Sequence, residues 1–166
     1  LEDAWMATTW VANNLESLGG DVNNLAVGGD SAGGCLAASV SLMAKEAGAP
    51  SICKQLLIYP CTDMTARFDS HRTFGEGYRL TSELLEWFYN LYFDEQEDVA
   101  HWKASPLNAE NFENLPPTFI LSAGFDPLQD EAKAYADKLK NAGVVIKHSH
   151  YEGMMHGFIG RFGSNV

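Results

Sequence analysis

Short apolar runs alternate with longer amphipathic stretches along most of this chain, and the alternation predicts strands and helices in turn. Ala4, Trp5, Val11, Ala12, Leu15 and Leu18 recur near helical spacing, so residues 2–18 read as a helix stopped by Gly19-Gly20. Leu25-Ala26-Val27 opens a buried strand over 25–29. Residues 32–47 are rich in Ala, Gly and Ser, which suits a helix packed closely on a sheet, and Gly48-Ala49-Pro50 ends it. Gln55-Leu56-Leu57-Ile58-Tyr59 reads as a second buried strand, stopped by Pro60. After a break the pattern resumes: strand 117–123, helix 127–141 closed by Asn141-Ala142-Gly143, and strand 144–151. Strands followed by helices predict an α/β chain, with a mostly parallel sheet covered by helices on both faces. The polar residues within 144–151 predict an edge strand.

The break, from about 64 to 104, has little strand pattern and many aromatics: Phe68, Phe74, Tyr78, Trp87, Phe88, Tyr89, Tyr92, Phe93 and Trp102. Thr81-Ser82-Glu83 opens a helix within it with cap-type residues. Aromatics at helical spacing are usually core, so most of these are expected to pack inward and one or two to line a pocket.

Composition narrows the function classes. The 166 residues are 46% hydrophobic, enough for one core. Twenty-two acidic against 11 basic residues give a net charge of −11. Nucleic acid and anionic membrane surfaces call for basic patches, so neither is an expected partner. No apolar run approaches the roughly 20 residues of a membrane span. The three cysteines, Cys35, Cys53 and Cys61, are odd in number and lack C-x-x-C spacing, which fits reduced thiols in a cytoplasmic protein. A leader ahead of Leu1 would change that location. The five histidines are scattered, so neither a metal nor another cofactor is expected.

One motif changes the picture. Gly29-Asp30-Ser31-Ala32-Gly33 has the form G-x-S-x-G and lies between a predicted strand and a predicted helix. That is the setting of a nucleophile elbow, where a sharp turn exposes a serine hydroxyl and aims the next N–H, here that of Ala32, at the reaction centre. Gly29 and Gly33 are expected to lack side chains because the turn is crowded. Chance gives on the order of 0.05 such matches in a chain of this length. Cys35, four residues on, lies on the same side of the helix as Ser31, within reach of a thiol reagent at the site.

Two later segments complete a constellation. Asp126 follows the apolar run 117–121, and His156 sits in the Gly-flanked stretch Gly153-Met154-Met155-His156-Gly157 after the last strand. The order Ser, Asp, His is that of one serine-hydrolase fold and differs from the two common protease orders. Asp63, Asp130 and Glu131 are alternative acids. His148 and His150 fall inside a strand, where a solvated or edge-strand role is expected. His71 and His101 are expected at the surface, and Asp30 is expected to serve as a local hydrogen-bonding residue.

The chain resembles the hormone-sensitive-lipase-like esterases, bacterial family IV carboxylesterases with the α/β-hydrolase fold. The resemblance rests on Leu1-Glu2-Asp3-Ala4, the Gly28–Gly34 elbow, Leu57-Ile58-Tyr59-Pro60, Ala104-Ser105-Pro106-Leu107, Ala123-Gly124-Phe125-Asp126-Pro127-Leu128 and His156-Gly157-Phe158, in family order. It implies Ser31 as nucleophile, Asp126 as acid, His156 as base and short- to medium-chain carboxylic esters as small-molecule substrates. It also implies a helical cap at 64–104 between two core parts, 1–63 and 105–166, and a homodimer contact at strand 144–151. The family's upstream His-Gly-Gly-Gly motif, a source of oxyanion donors, has no counterpart here. With α/β domains often running to roughly 200–250 residues, the chain reads as a piece of a longer enzyme, incomplete at its N-terminus and inactive alone. Two other functions use the same residues: a non-catalytic small-molecule receptor, and an amide or peptide hydrolase with the same triad.

Overall fold

The computed structural model describes residues 1–94 and 98–161. Along them run α1 (Glu2–Asn14), β1 (Ala26–Asp30), α2 (Ala32–Ala47), β2 (Lys54–Ile58), α3 (Asp69–Thr73), α4 (Ser82–Tyr92), β3 (Thr118–Phe125), α5 (Gln129–Asn141) and β4 (Ile146–Met155). The strands pair in parallel in the order β1-β2-β3-β4. Residues 95–97 of the predicted insertion, and 162–166 at the end of the second core part, lie outside the described residues.

Every crossover steps the same way across this sheet. Right-handed crossovers that step one way put their helices on one face. Ala37, Ala38 and Leu42 of α2 therefore share a single core with Ala132, Tyr135, Ala136 and Leu139 of α5, over Leu57 and Ile120. Leu57 and Ile120 have no exposed surface, and each such side chain contributes about 1.5–3 kcal/mol by leaving water. On the other face Gly28, Lys54 and Leu56 are exposed and Phe119 is half-buried. The expected cover on both faces is thus met on one face among the described residues. Alternation of elements predicts layers, but the strand order decides which face each helix takes.

Element limits differ where side-chain pattern is a poor guide. Helix α2 spans the predicted 32–47 and stops at Gly48, whose φ of 70° is the left-handed cap glycine accepts readily. Helix α1 ends at Asn14 rather than 18, because the Gly20 N–H turns back to the Leu15 carbonyl (2.8 Å) and Gly19 takes a φ of 74°. Strand β4 runs to Met155, four residues beyond the predicted end. Its register jumps from Ala123↔Tyr151 to Phe125↔Met155, so β4 carries two extra residues opposite Gly124. A Cβ on Gly124 would overlap the Glu152 backbone, so only glycine allows this approach. Strand β4 lies at the sheet edge, as predicted.

His148 and His150 are not simply solvated. The Ser122 hydroxyl lies 2.8 Å from both His148 Nε2 and His150 Nδ1. It has one proton to give, so one ring accepts from it and the other donates to it. Burial pushes the His148 pKa below its ordinary 6.5, helped by His150 and Lys133 and opposed by Asp137. The folded state then binds fewer protons than the unfolded state, and stability falls as pH drops from 6.5 through the depressed value. We expect the thermal midpoint to fall between pH 7 and pH 5, and His148→Gln to flatten part of that slope. An identical slope in the variant would remove His148 from this account.

Candidate active site

Each of the three candidate residues is the first residue after a strand: Ser31 follows β1, Asp126 follows β3 and His156 follows β4. The C-terminal ends of parallel strands point the same way, so three chain segments meet at one rim of the sheet.

Ser31 takes φ 55° and ψ −119°, a region that costs a non-glycine residue about 1–3 kcal/mol. Backbone bonds over-determine the turn. The Ser31 N–H donates to the Ile58 carbonyl (2.8 Å), and the Ser31 carbonyl accepts from the N–H groups of Cys35 and Cys61 (3.2 Å each). A Cβ on Gly29 would overlap the Gly33 backbone, and one on Gly34 would sit 2.8 Å from Pro60 Cβ. A Cβ on Gly33 would meet no atom within 4 Å. The crowding therefore falls on Gly29 and Gly34, not on Gly33 as the motif suggests.

His156 is 8% exposed and Asp126 is fully buried. His156 Nε2 lies 2.8 Å from Ser31 Oγ, and His156 Nδ1 lies 2.7 Å from Asp126 Oδ2. A carboxylate only accepts, which puts the ring proton on Nδ1 and leaves Nε2 free to accept from the serine hydroxyl. The other Asp126 oxygen accepts from the Leu128 N–H (2.9 Å). Ala32 opens α2, so its N–H has no preceding helical turn to donate to.

The alternative acids are engaged elsewhere. Asp63 pairs with Arg67 (2.6 Å) and accepts from Thr65, and Asp130 accepts from the Ser70 N–H (3.0 Å). Glu131 is fully buried against His71 Nε2 (2.8 Å). His71 is therefore interior, not a surface residue, because α3 folds down onto α5. Burial lifts the Glu131 carboxyl above the usual range, against His71 and the N–H groups of Asp63 and Thr62, which pull it down.

A cavity of about 450 Å³ opens beside Ser31 and Ala32. Its walls are apolar: Leu80, Leu85, Phe88, Leu128, Met64 and Leu91 among them. Among the insertion's aromatics, Phe88, Tyr89 and Tyr92 line it, whereas Phe68 and Trp102 pack on the main core. Phe74 and Tyr78 pack on Phe125 at the end of β3. Cys35 also lines the cavity, but burial pushes its thiol pKa up to about 12, so it holds little thiolate near neutrality.

Two neighbours of the site were given no role by the sequence. Tyr59 lies on the His156 ring with centroids 4.6 Å apart. Burial, followed by the Asp30 charge, raises its pKa, so the phenol stays protonated. Arg79 Nη1 donates to the Gly157 carbonyl (3.2 Å) and lies over that glycine, whose φ is 78°. The useful signal for Tyr59 was its place at a strand exit. Arg79, 77 residues before His156, offered none. Among the described residues, no group of three His, Cys, Asp or Glu side chains forms a metal site.

The sequence profile of the α/β hydrolase fold matches residues 1–160. The chain is 39% identical to the carboxylic ester hydrolase LipN of Mycobacterium tuberculosis, over 98% of this chain and 45% of LipN. It is 39% identical to an ethyl acetate hydrolase of Pseudomonas putida, over 99% of this chain and 52% of that protein. A solved thermostable esterase from Pseudomonas putida superposes with a TM-score of 0.91 at 42% identity, over 95% of this chain and half of that one. The hyperthermophilic esterase of the archaeon Pyrobaculum calidifontis gives 0.91 at 40%, over 95% of this chain and 52% of that one. The chain spans about half the length of the curated relatives it matches.

Proposed function

Because the chain belongs to the α/β-hydrolase family, in its hormone-sensitive-lipase-like branch, we propose that it serves a serine esterase acting on short- to medium-chain carboxylic esters. The observation that carries this reading is the unbroken line from Ser31 Oγ through His156 to Asp126, at 2.8 and 2.7 Å, on the rim of an apolar cavity.

In this mechanism His156 Nε2 takes the Ser31 proton as Oγ attacks the ester carbonyl carbon. The carbonyl oxygen becomes an oxyanion, and the Ala32 N–H at the start of α2 donates to it. His156 returns the proton to the leaving alkoxide, and the acyl group stays on Ser31. Water then attacks the acyl-enzyme with His156 again as base. Asp126 keeps the imidazole in the working tautomer and stabilises its cation. Acyl or alcohol chains lie in the cavity, and its lining by Phe88, Tyr89 and Tyr92 supports the reading of residues 64–104 as a cap between the two core parts.

The free thiols of Cys35, Cys53 and Cys61 support a reducing, cytoplasmic setting. The outer edge of β4 has no strand partner among the described residues, which supports a homodimer joined there. No described helix is long and apolar enough to cross a membrane.

The reading is tested on the full-length protein with p-nitrophenyl butyrate and the matched butyryl p-nitroanilide. We expect rapid release from the ester and far slower release from the anilide. Comparable rates would favour the amide-hydrolase reading. Binding of both compounds without turnover of either would favour the receptor.

A further inference from the structure

Glu131 lies in the first turn of α5, five residues after Asp126, with no exposed surface. A buried carboxylate is tolerated when donors face it. Glu131 Oε1 accepts from the Thr62 N–H (2.6 Å) and the Asp63 N–H (3.1 Å), and Oε2 pairs with His71 Nε2 (2.8 Å). The Thr62 hydroxyl also donates to the Glu131 carbonyl (3.0 Å).

These bonds lead to the site from both sides. After β2 the chain passes Tyr59, whose ring lies on His156, and then Cys61, whose N–H donates to the Ser31 carbonyl. The next two N–H groups, those of Thr62 and Asp63, go to Glu131. On the other side the turn into α5 is pinned by Asp126, which accepts from the N–H groups of Leu128 and Gln129 (2.9 and 3.2 Å). The serine turn, the loop after β2 and the acid turn are joined in series, and Glu131 is the joint between the last two. Helix α3 braces it: the Ser70 N–H donates to Asp130, and the Ser70 hydroxyl donates to the Pro127 carbonyl (2.6 Å).

We infer that Glu131 is a positioning residue for Ser31, His156 and Asp126, locking the acid turn to the loop that carries Tyr59 and Cys61, with His71 as its partner from the insertion. This rests on the esterase reading above. Glu131 touches none of the three residues, so it acts through the placement of Asp126 under the imidazole. A shift of about 1 Å at such a position costs on the order of 10²-fold in rate.

Three variants of the full-length protein test the inference: Glu131→Ala, Glu131→Asp and Glu131→Gln. Turnover is expressed per folded molecule, with near-UV circular dichroism as the measure of folding. Glu131→Ala is expected to lose about 10²-fold in kcat with KM nearly unchanged. Glu131→Gln keeps an acceptor of the same reach for Thr62 and Asp63, so it restores most of the rate. The low-field proton resonance of the His156–Asp126 hydrogen bond should move in Glu131→Ala and stay in Glu131→Gln. Glu131→Asp keeps the charge but withdraws it by one methylene, and it serves if the alanine variant does not fold. Wild-type kcat and an unmoved resonance in a folded Glu131→Ala or Glu131→Asp would overturn the inference. Wild-type protein without ester turnover would overturn the esterase reading instead, and the resonance would still report on Glu131.

Discussion

Ser31→Ala is expected to abolish covalent labelling by a fluorophosphonate and to lower ester turnover by about 10⁶-fold. The expectation comes from geometry. The hydroxyl is held by a backbone at φ 55°, its acceptor His156 Nε2 is 2.8 Å away, and the cavity opens beside it. No neighbouring nucleophile stands ready to take over. The thiols of Cys35 and Cys61 are buried, and burial raises both pKa values well above 9.0. Intact-mass measurement of labelled wild type and variant decides the matter. Equal labelling of the two would remove Ser31 as the nucleophile.

The second large effect is a failure of additivity. His156→Ala is expected to cost about 10⁶-fold in kcat, and Asp126→Asn alone about 10⁴-fold. The double variant should be no worse than His156→Ala, because Asp126 acts only through the imidazole it holds at 2.7 Å. Multiplied losses in the double variant would mean that Asp126 has a separate task. Its substitutes would then have to leave other bonds: Asp63 its Arg67 partner, and Asp130 the Ser70 N–H.

Local rules read much of this chain well. Helix 32–47 was legible because Gly48-Ala49-Pro50 closes it and its small residues repeat. The ends of β1 and β3 were legible closely enough to single out Ser31 and Asp126, and the Gly-flanked stretch after the last predicted strand singled out His156; the two experiments above decide their roles. What escaped was non-local. The sidedness of the sheet follows from strand order, which no single segment contains. The end of β4 escaped because its last residues, Tyr151–Met155, are exposed and gain their register from Gly124 on another strand. The His71–Glu131 pair joins residues 60 apart, and nothing in either neighbourhood signals it. His71 was expected at the surface because it falls in the implied cap, whereas the fold of α3 onto α5 buries it.

The strand order also governs how the molecule comes into being on the ribosome. Among the described strands β2, β3 and β4 each dock beside the one synthesised just before it, so this part of the sheet grows from one side as the chain emerges. In the same set β1, β2 and β3 each find a neighbour in the next one made. Of the three candidate residues Ser31 emerges first, Asp126 95 residues later and His156 125 residues later. Over that interval the nascent chain carries Ser31 without His156. The Ser31 hydroxyl meets His156 only when β4 joins the edge.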